Sequence, residues 1–232
     1  MSSLVVAIDG PSGSGKSSTS RGVAARLGLR YLDTGAMFRA ITWWMLLHDV
    51  DLTDPDAIAA RAGEPVIESG TDPLDPTILV DGEDASAAIR SDEVNAAVSP
   101  VSAVPAVRTR LLHLQRAIIE AESIGDGGIV IEGRDIGSVV APDAPVKVYL
   151  SADAAARAVR RAAEAGGDVA ATQESLLARD RIDSGRTTAP LTMADGAVQI
   201  DTTPYTLDEV ISQVVALVEA VSESSKAGEA GA

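Results

Sequence analysis

The first residues of the chain contain the feature that most constrains its fold. A continuous apolar run from Leu4 to Ile8 is followed by a glycine-rich turn and then by a helix predicted over Lys16 to Leu27. Continuous apolar runs of this length are typical of buried parallel strands. The turn, GPSGSGKS, matches the pattern G-x-x-x-x-G-K-[ST] in the strand-to-helix context that the motif requires. We therefore predict a βα unit whose loop holds the phosphates of ATP or GTP.

The residue types of this loop suit that task. Glycines allow backbone N–H groups to surround the phosphates, Lys16 bridges the outer phosphates, and the dipole of the following helix adds to the attraction. Ser17 or Ser18 is expected to reach Mg²⁺. The predicted ATP-binding residues are Gly10, Pro11, Ser12, Gly13, Ser14, Gly15, Lys16, Ser17 and Ser18.

Composition and charge exclude several other kinds of protein. The 232 residues suffice for one substantial core, and the absence of cysteine excludes disulfides, thiolate metal sites and a cysteine nucleophile. The net charge of −15 argues against a nucleic-acid surface, because such surfaces neutralise many phosphates with basic residues. The N-terminal apolar run is too short to span a bilayer and lacks the marks of a signal peptide. We expect a cytoplasmic protein without membrane partners.

The basic residues are mostly arginine. Of the 19 basic residues only Lys16, Lys147 and Lys226 are lysine. The high ratio of arginine to lysine has two explanations. One is a bias of GC-rich coding, and the other is bidentate recognition of phosphates and base edges by arginine. Composition alone leaves both explanations open.

Alternating strands and helices define the expected fold class. Three further strands are predicted, in GGIVIEGRD, APVKVYL and AVQIDTT, and a second helix is predicted over Thr34 to His48. This alternation predicts an α/β fold with a parallel sheet flanked by helices and with ligands beyond the carboxyl ends of the strands. Between Gly63 and Pro105, short β-like runs alternate with turn residues, which predicts a small sheet. We expect a P-loop core over 1–61 and 106–232 and an insertion over 62–105.

The large class of P-loop GTPases and motor proteins does not fit this chain. A guanine-specific Asn-Lys-x-Asp motif cannot exist, because Asn95 is the only asparagine and Ala96 follows it. No aspartate is followed by glycine three positions later. A small kinase remains, and the other half of the sequence must then bind the phosphate acceptor.

Several longer motifs resemble those of bacterial cytidylate kinases. GPSGSGKSS, LDTGAMFR, IEGRDIG, APDAPVK, RDRIDSGR with APL, and DTT occur in the order and approximate spacing of that family, from about Val5 to Val215. GEDAS with the later IR resembles the family's insertion, in which valine more often replaces Ala85. Two departures are Phe38, where the family commonly has tyrosine, and the pair Ser17-Ser18, which is an ordinary variant. Phe38 removes a possible hydroxyl near the acceptor phosphate.

The resemblance implies roles for particular residues. Cytosine would be surrounded by Thr34, Arg108, Asp135 and Arg186, and the ribose hydroxyls would contact Ser99, Arg179 and Asp183. Asp135 suits the base, because a carboxylate accepts hydrogen bonds and the cytosine amino group donates them.

Arginines are also expected at both phosphates, because phosphoryl transfer brings two polyanions together. Arg39 and Arg134 are candidates for the acceptor phosphate, although surface ion pairs with Asp33 and Asp135 would explain them too. Arg157, Arg160 and Arg161 share one helix face, as a closing lid requires. A solvated face paired with Glu164 is the alternative for that helix.

Asp33 precedes the second helix, so it has two possible roles. It would order Mg²⁺ through water, or it would cap the helix N-terminus, and both roles are compatible.

Taken together, these patterns predict an ATP-dependent kinase of CMP and dCMP that acts as a monomer. Lys16, Arg134, Arg157 and Arg161 would stabilise the transferred phosphoryl group, and a lid would span about 157–186. Mg²⁺ would be held by Ser17, Ser18 and Asp33. Two alternatives remain open: a kinase of another monophosphate or a small hydroxylated metabolite, and a module that binds ATP without turnover.

Overall fold

The protein is described by a computed structural model that covers residues 4–125, 127–165, 167–186 and 188–230. Five parallel strands form its main sheet: β1 (Leu4–Asp9), β2 (Arg30–Asp33), β6 (Gly128–Gly133), β7 (Val146–Ser151) and β8 (Val198–Asp201). They lie in the order β2-β6-β1-β7-β8. The parallel α/β sheet that the sequence predicts is thereby confirmed.

Helices cover both faces of this sheet. They are α1 (Lys16–Leu27), α2 (Thr34–Leu47), α3 (Pro55–Arg61), α4 (Asp92–Ala103), α5 (Pro105–Glu122), α6 (Ala154–Ala165), α7 (Val169–Ser184) and α8 (Leu207–Ala230). One core cluster contains Ala7, Leu32 and Ile131 with residues of α2 and α5. The second contains Ile8 and Tyr31 with residues of α1 and α8. The two clusters lie on opposite sheet faces because successive side chains of a strand alternate between faces.

The predicted small sheet lies within residues 67–84. Strands β3 (Ile67–Ser69), β4 (Ile78–Val80) and β5 (Glu83–Asp84) pair in antiparallel order. Trp44 Nε1 on α2 donates to Asp81 Oδ2 in the turn between β4 and β5, over 2.8 Å. The guanidinium of Arg61 lies 5.1 Å from the Trp44 ring centroid, which is a cation–π contact. These contacts attach the small sheet to the core helices.

Two elements were not predicted from the sequence. Strand β2 has only four residues, and its central pair, Tyr31 and Leu32, is too short to give a periodic signal. Helix α4 lies where turns were expected, and it contains Pro100, which removes one helical hydrogen bond. Ser91 caps its N-terminus by accepting from Val94 N, and Val94 and Val98 are buried, so packing and capping outweigh the proline.

The loop between β3 and β4 covers the edge of the main sheet that is formed by β2. Tyr31 N on the edge strand β2 donates to Thr71 O over 2.9 Å. Thr71 Oγ1 donates to Glu122 Oε1 over 2.6 Å, and Arg21 Nε donates to Pro73 O over 2.8 Å. The loop is therefore held on the core at three points.

Among the helices of the described part of the chain, none combines the length and the apolar character needed to cross a membrane.

Candidate active site

The loop between β1 and α1 has the backbone of a phosphate-binding loop. Gly10 has φ +151°, and a Cβ at this position would lie 2.1 Å from Leu150 O, so the strand end and the loop can approach only through a glycine. Gly15 has φ +87° directly before α1, in the left-handed region that favours glycine. The sequence prediction of this loop and of α1 agrees with the structure residue for residue.

Side chains from other elements hold the carbonyl groups of this loop. Lys16 Nζ donates to Pro11 O over 2.7 Å, and Arg157 NH1 on α6 donates to Ser12 O over 2.7 Å. Thr202 Oγ1, after β8, donates to Ser14 O over 3.2 Å. These contacts fix three carbonyl groups of the loop in place.

A cavity of about 230 Å³ opens between this loop, the ends of the parallel strands and α4. Among the described residues, its polar lining consists of Ser12, Lys16, Ser17, Ser18, Asp33, Thr34, Arg39, Arg90, Ser99, Ser102, Arg108, Glu132, Arg134, Asp135, Arg160, Arg161, Arg179, Asp183 and Arg186. Eight arginines and one lysine therefore face four carboxylates in the described lining. In a protein of net charge −15, this excess of cations indicates a site for polyanions. It favours the functional explanation of the arginine content at these positions.

Buried ion pairs organise the side of the cavity remote from the loop. Arg108 NH2 on α5 lies 2.5 Å from Asp135 Oδ2, and both side chains are about nine-tenths buried. Arg108 also lies 5.3 Å from the Phe38 ring centroid. Such a pair needs further hydrogen bonds to compensate desolvation. Arg108 NH1 supplies one by donating to Ser102 O over 3.1 Å.

A second ion-paired group lies on α7. Asp183 is buried and accepts from Arg134 Nε over 3.0 Å and from Arg186 NH2. Arg186 NH2 also donates to Ser102 Oγ over 2.9 Å. Helix α7 is thereby connected to the tip of β6 and to α4.

Arg39 is held by a residue that the sequence analysis did not select. Its NH1 donates to Asn95 Oδ1 over 2.6 Å, and Asn95 Nδ2 donates to Arg90 O over 3.1 Å. Burial and, to a smaller extent, the nearby Arg179 lower the pKa of Arg39 to about 10, with an opposing effect from Asp33. Burial and Arg134 likewise lower the pKa of Arg179. Crowded cations of this kind are stabilised when an anion binds between them.

Two buried carboxylates lie at the tips of the central strands. Burial raises the pKa of Glu132, which accepts from Tyr31 Oη over 2.5 Å. Burial together with Arg134 lowers the pKa of Lys16, and Glu132 opposes that change. Asp9 accepts from Ile136 N and Gly137 N, both over 2.8 Å, and burial raises its pKa to about 6. Asp9 thus fixes the turn that follows Arg134 and Asp135.

The oxygen ligands near the loop suit a hard cation. Ser17 and Ser18 are exposed at the start of α1, and Asp33 lines the same cavity while its Oδ1 accepts from Ala36 N over 2.9 Å. The described residues contain no cluster of three or more His, Cys, Asp or Glu side chains that could hold a metal alone. Magnesium is commonly bound by one or two protein oxygens together with substrate phosphates, and this donor set fits that pattern.

The structure brings together all nine of the residues predicted for the acceptor. Thr34, Arg39, Ser99, Arg108, Arg134, Asp135, Arg179, Asp183 and Arg186 all line the cavity, as do Arg161 and Asp33. Arg157 does not belong to its described lining, because its guanidinium is directed to Ser12 O and to Asp180 Oδ2. Arg160, expected on the lid face, donates to Thr202 Oγ1 and to Thr202 O.

Glu132, Asn95 and Asp180 were not predicted as site residues from the sequence. Glu132 and Asp180 lie inside the quoted motifs IEGRDIG and RDRIDSGR, so their position was a usable signal. Asn95 lies in a stretch that was expected to form turns, and nothing in the sequence connects it to Arg39.

A five-stranded parallel sheet, a phosphate-binding loop at the end of its central strand and a cavity lined with arginines define a P-loop phosphotransferase. The family model for cytidylate kinase matches residues 6–220, and the chain belongs to this family.

Curated relatives extend over nearly the whole chain. The cytidylate kinase of Streptomyces griseus subsp. griseus is 61% identical over 219 residues, which are 94% of each chain. The cytidylate kinase of Rhodococcus opacus is 51% identical over 234 residues, 98% of this chain and 99% of the relative. An uncharacterized protein from Eubacterium ventriosum has a solved structure with a TM-score of 0.53 at 11% identity, covering 94% of this chain and 99% of that one. This last likeness concerns the fold alone.

Proposed function

We propose that this chain transfers the γ-phosphoryl group of ATP to CMP and dCMP, giving CDP and dCDP. The observation that carries the proposal is the cavity in which a phosphate-binding loop faces an arginine-rich wall that also contains the buried Asp135. Membership of the cytidylate kinase family supports the same activity. In this reaction an oxygen of the acceptor phosphate attacks the γ-phosphorus, and the bond from that phosphorus to the β–γ bridging oxygen breaks, leaving ADP.

On the donor side, the backbone of residues 10–18 holds the phosphates of ATP. Lys16 exchanges its contact with Pro11 O for the β- and γ-oxygens and stabilises the charge that moves between them. Ser17, Ser18 and Asp33 are the residues that would hold Mg²⁺, which neutralises phosphate charge when bound. Arg161 and Arg134 add positive charge near the transferred group.

On the acceptor side, Arg39 binds the acceptor phosphate. Arg108 engages Oδ2 of Asp135, so we assign Oδ1 to the cytosine amino group. Thr34 and Arg186 complete the contacts with the base. Ser99, Arg179 and Asp183 are assigned to the sugar, where Asp183 would be sensitive to the 2′-hydroxyl that distinguishes CMP from dCMP.

Residues 62–105 form the acceptor-binding insertion and residues of about 157–186 the lid in this proposal. Arg157 remains a candidate for the transferred group only if it leaves its contacts with Ser12 and Asp180 when ATP binds. We further propose that the chain is a monomer that binds no nucleic acid and acts in the cytoplasm. Light scattering coupled to gel filtration tests the oligomeric state.

The direct test measures ADP release with ATP and Mg²⁺ in the presence and absence of candidate acceptors. We expect release that depends on CMP or dCMP, lower activity with UMP, and no release above background with cytidine or gluconate. ATP binding without acceptor-dependent ADP release would contradict the proposal and favour a nucleotide-binding module. Equal rates with AMP, UMP and CMP would contradict the assigned base specificity.

A further inference from the structure

Asp180 occupies a position on α7 between two residues that line the cavity. Arg179 and Asp183 contribute to the cavity wall, whereas Asp180 contacts the phosphate-binding loop. Its Oδ1 accepts from Ser12 N over 3.2 Å, and its Oδ2 accepts from Arg157 NH1 over 2.6 Å. The same nitrogen of Arg157 donates to Ser12 O over 2.7 Å. Asp180, Arg157 and the backbone of Ser12 therefore form a closed ring of hydrogen bonds.

This ring is largely shielded from water. The side chains of Arg157 and Asp180 are 6% and 17% exposed, so solvent screens the charge pair only weakly. The backbone beside the ring is closely packed as well. A Cβ on Gly13 would lie 3.3 Å from Arg157 Cβ and 3.5 Å from Leu176 Cδ1. Helices α6 and α7 thus rest directly on residues 12 and 13, and α7 cannot shift without moving this part of the loop.

One helix therefore contacts both halves of the cavity within a single turn. The sequence Arg179-Asp180 directs one side chain to the acceptor wall and the next to the ATP loop, and Asp183 returns to the acceptor wall. Arg179 has a buried Nε without a hydrogen-bond partner among the described groups. Asp183 is also held by ion pairs, whereas the alignment of Arg179 depends more on the placement of the helix.

We propose that Asp180 is a positioning residue that couples the two nucleotide sites, so that ATP on the loop raises the affinity of the cavity for CMP. The inference rests on the proposed function, because it assigns Arg179 and Asp183 to the acceptor. ATP phosphates order the loop backbone, and the ring transmits that order to α7. This requires Arg157 to stay on Ser12 O and Asp180 when ATP binds, so in this inference Arg157 does not contact the transferred group. CMP then binds to a wall that is already ordered, so its binding loses less conformational entropy. This is the condition for positive coupling between the two sites.

The test is isothermal titration of CMP into the full chain, with and without a saturating non-hydrolysable ATP analogue and Mg²⁺. The coupling factor is the ratio of the two dissociation constants for CMP. We expect a factor of about 5 or more in the wild type, the lower end of typical coupling between sites. Asp180→Asn, which removes the charge but keeps the side-chain size, should reduce the factor below about 2, while the affinity for CMP alone changes by less than about threefold.

Glu174→Gln is the matched control, because Glu174 is an exposed carboxylate on the same helix. It should keep the coupling factor of the wild type. Asp180→Ala is a second variant for the case in which Asp180→Asn does not fold. The variant that keeps the circular dichroism spectrum of the native protein should show the reduced coupling factor. By thermodynamic reciprocity, CMP should raise the affinity for the ATP analogue by the same factor.

Two results would overturn the proposal: a wild-type factor near 1, or an unchanged factor in Asp180→Asn, which includes an equal loss of CMP affinity with and without the analogue. The last result would assign Asp180 a purely structural role. Failure of the proposed function has a different signature, namely wild-type protein that releases no ADP with CMP. A wild type that phosphorylates CMP while Asp180→Asn keeps its coupling factor would refute this inference alone.

Discussion

The half of the cavity that we assign to ATP and the half that we assign to the acceptor are built in different ways. The first half is one continuous stretch, residues 10–18, that offers backbone N–H groups. The second half takes its side chains from α2, α4, α5, the turn after β6 and α7. A backbone cradle recognises phosphate through its shape, whereas side chains from separate helices can be exchanged individually. Under the proposed function, base and sugar specificity would belong to the assembled half, and the phosphoryl transfer common to all acceptors would belong to the continuous half.

The two halves also differ in how their charges are balanced. In the ATP-binding half, Lys16 is stabilised by a loop carbonyl and by the nearby Glu132. In the acceptor half, arginines are paired with the buried carboxylates Asp135 and Asp183. A substitution in the first half should therefore reduce the rate with every acceptor, and one in the second half should change the choice among acceptors.

The largest effect is expected for Lys16→Ala. The lysine charge acts on oxygens that gain negative charge during transfer, so kcat should fall on the order of 10²- to 10³-fold or more. The decrease should be equal for CMP, dCMP and UMP. Steady-state kinetics with all three acceptors measures this, with circular dichroism to confirm folding. A kcat close to that of the wild type would refute the role of Lys16.

The next effect concerns Asp135 and should differ between acceptors. Asp135→Ala leaves the cytosine amino group without an acceptor in a water-poor site, which should cost CMP about 2–3 kcal/mol in kcat/KM, roughly 30- to 150-fold. UMP has a carbonyl at that position and should lose much less, so the preference for CMP should shrink.

Arg108 complicates this experiment, because removing Asp135 also leaves that guanidinium without its carboxylate partner. Asp135→Asn is the matched variant, since its amide can still accept from Arg108 and can donate to the uracil carbonyl. The kcat/KM for UMP should therefore rise relative to the kcat/KM for CMP in this variant. If both variants reduce kcat/KM for CMP and UMP by the same factor, Asp135 supports Arg108 and the strand tip instead of contacting the base.

A smaller effect is expected for Asn95→Ala. Loss of the hydrogen bond to Arg39 should raise KM for CMP about fivefold, corresponding to about 1 kcal/mol, with kcat little changed. Cytidine has no phosphate, so its inhibition constant should stay the same. A parallel loss of cytidine binding would indicate that Asn95 stabilises α4 and does not position Arg39.

The smallest effect concerns stability and its dependence on pH at Asp9. Burial raises the pKa of Asp9 to about 6, above its ordinary value of 3.8, so the folded protein takes up a proton before the unfolded chain does. The contribution of Asp9 to stability should therefore increase by about 1 kcal/mol as the pH falls from 7 to 5. Asp9→Asn removes this contribution, because an amide does not titrate.

Urea unfolding of both proteins at pH 7 and pH 5 measures this difference. The free energy of unfolding of the wild type minus that of Asp9→Asn should be higher at pH 5 than at pH 7. If this difference is instead lower at pH 5, the ionised carboxylate is stabilised by Ile136 N and Gly137 N more than burial disfavours it.

The same contrast explains which parts were predictable from sequence. Helix α1 and the loop before it are encoded locally, by glycine spacing and an apolar strand, and they were predicted residue for residue. Helix α4 was missed because Pro100 and short apolar runs resemble turns, and its stability comes from burial of Val94 and Val98. Tertiary packing of this kind has no local signature.

Most of the acceptor residues were predicted only through resemblance to a family, since their spacing in sequence carries no common period. Arg39 and Arg134 were also expected because phosphoryl transfer needs cations at the acceptor phosphate. The contacts of Asn95 and Asp180 arise when distant elements meet. Asn95 lies 56 positions from Arg39, and Asp180 lies 168 positions from Ser12. The placement of Arg157 could not be predicted either, because an arginine on a helix face can bind a phosphate or a backbone carbonyl equally well.

The loop between β3 and β4 has a consequence for solubility. Strand β2 is an edge strand, and an edge with unpaired N–H and C=O groups is a template for pairing with another chain. The Thr71 carbonyl occupies Tyr31 N, and Arg21 and Glu122 hold the loop in place. The loop between β3 and β4 therefore protects one edge of the sheet from pairing with a strand of another chain. Shortened versions of the loop should expose that edge and favour aggregation at high protein concentration.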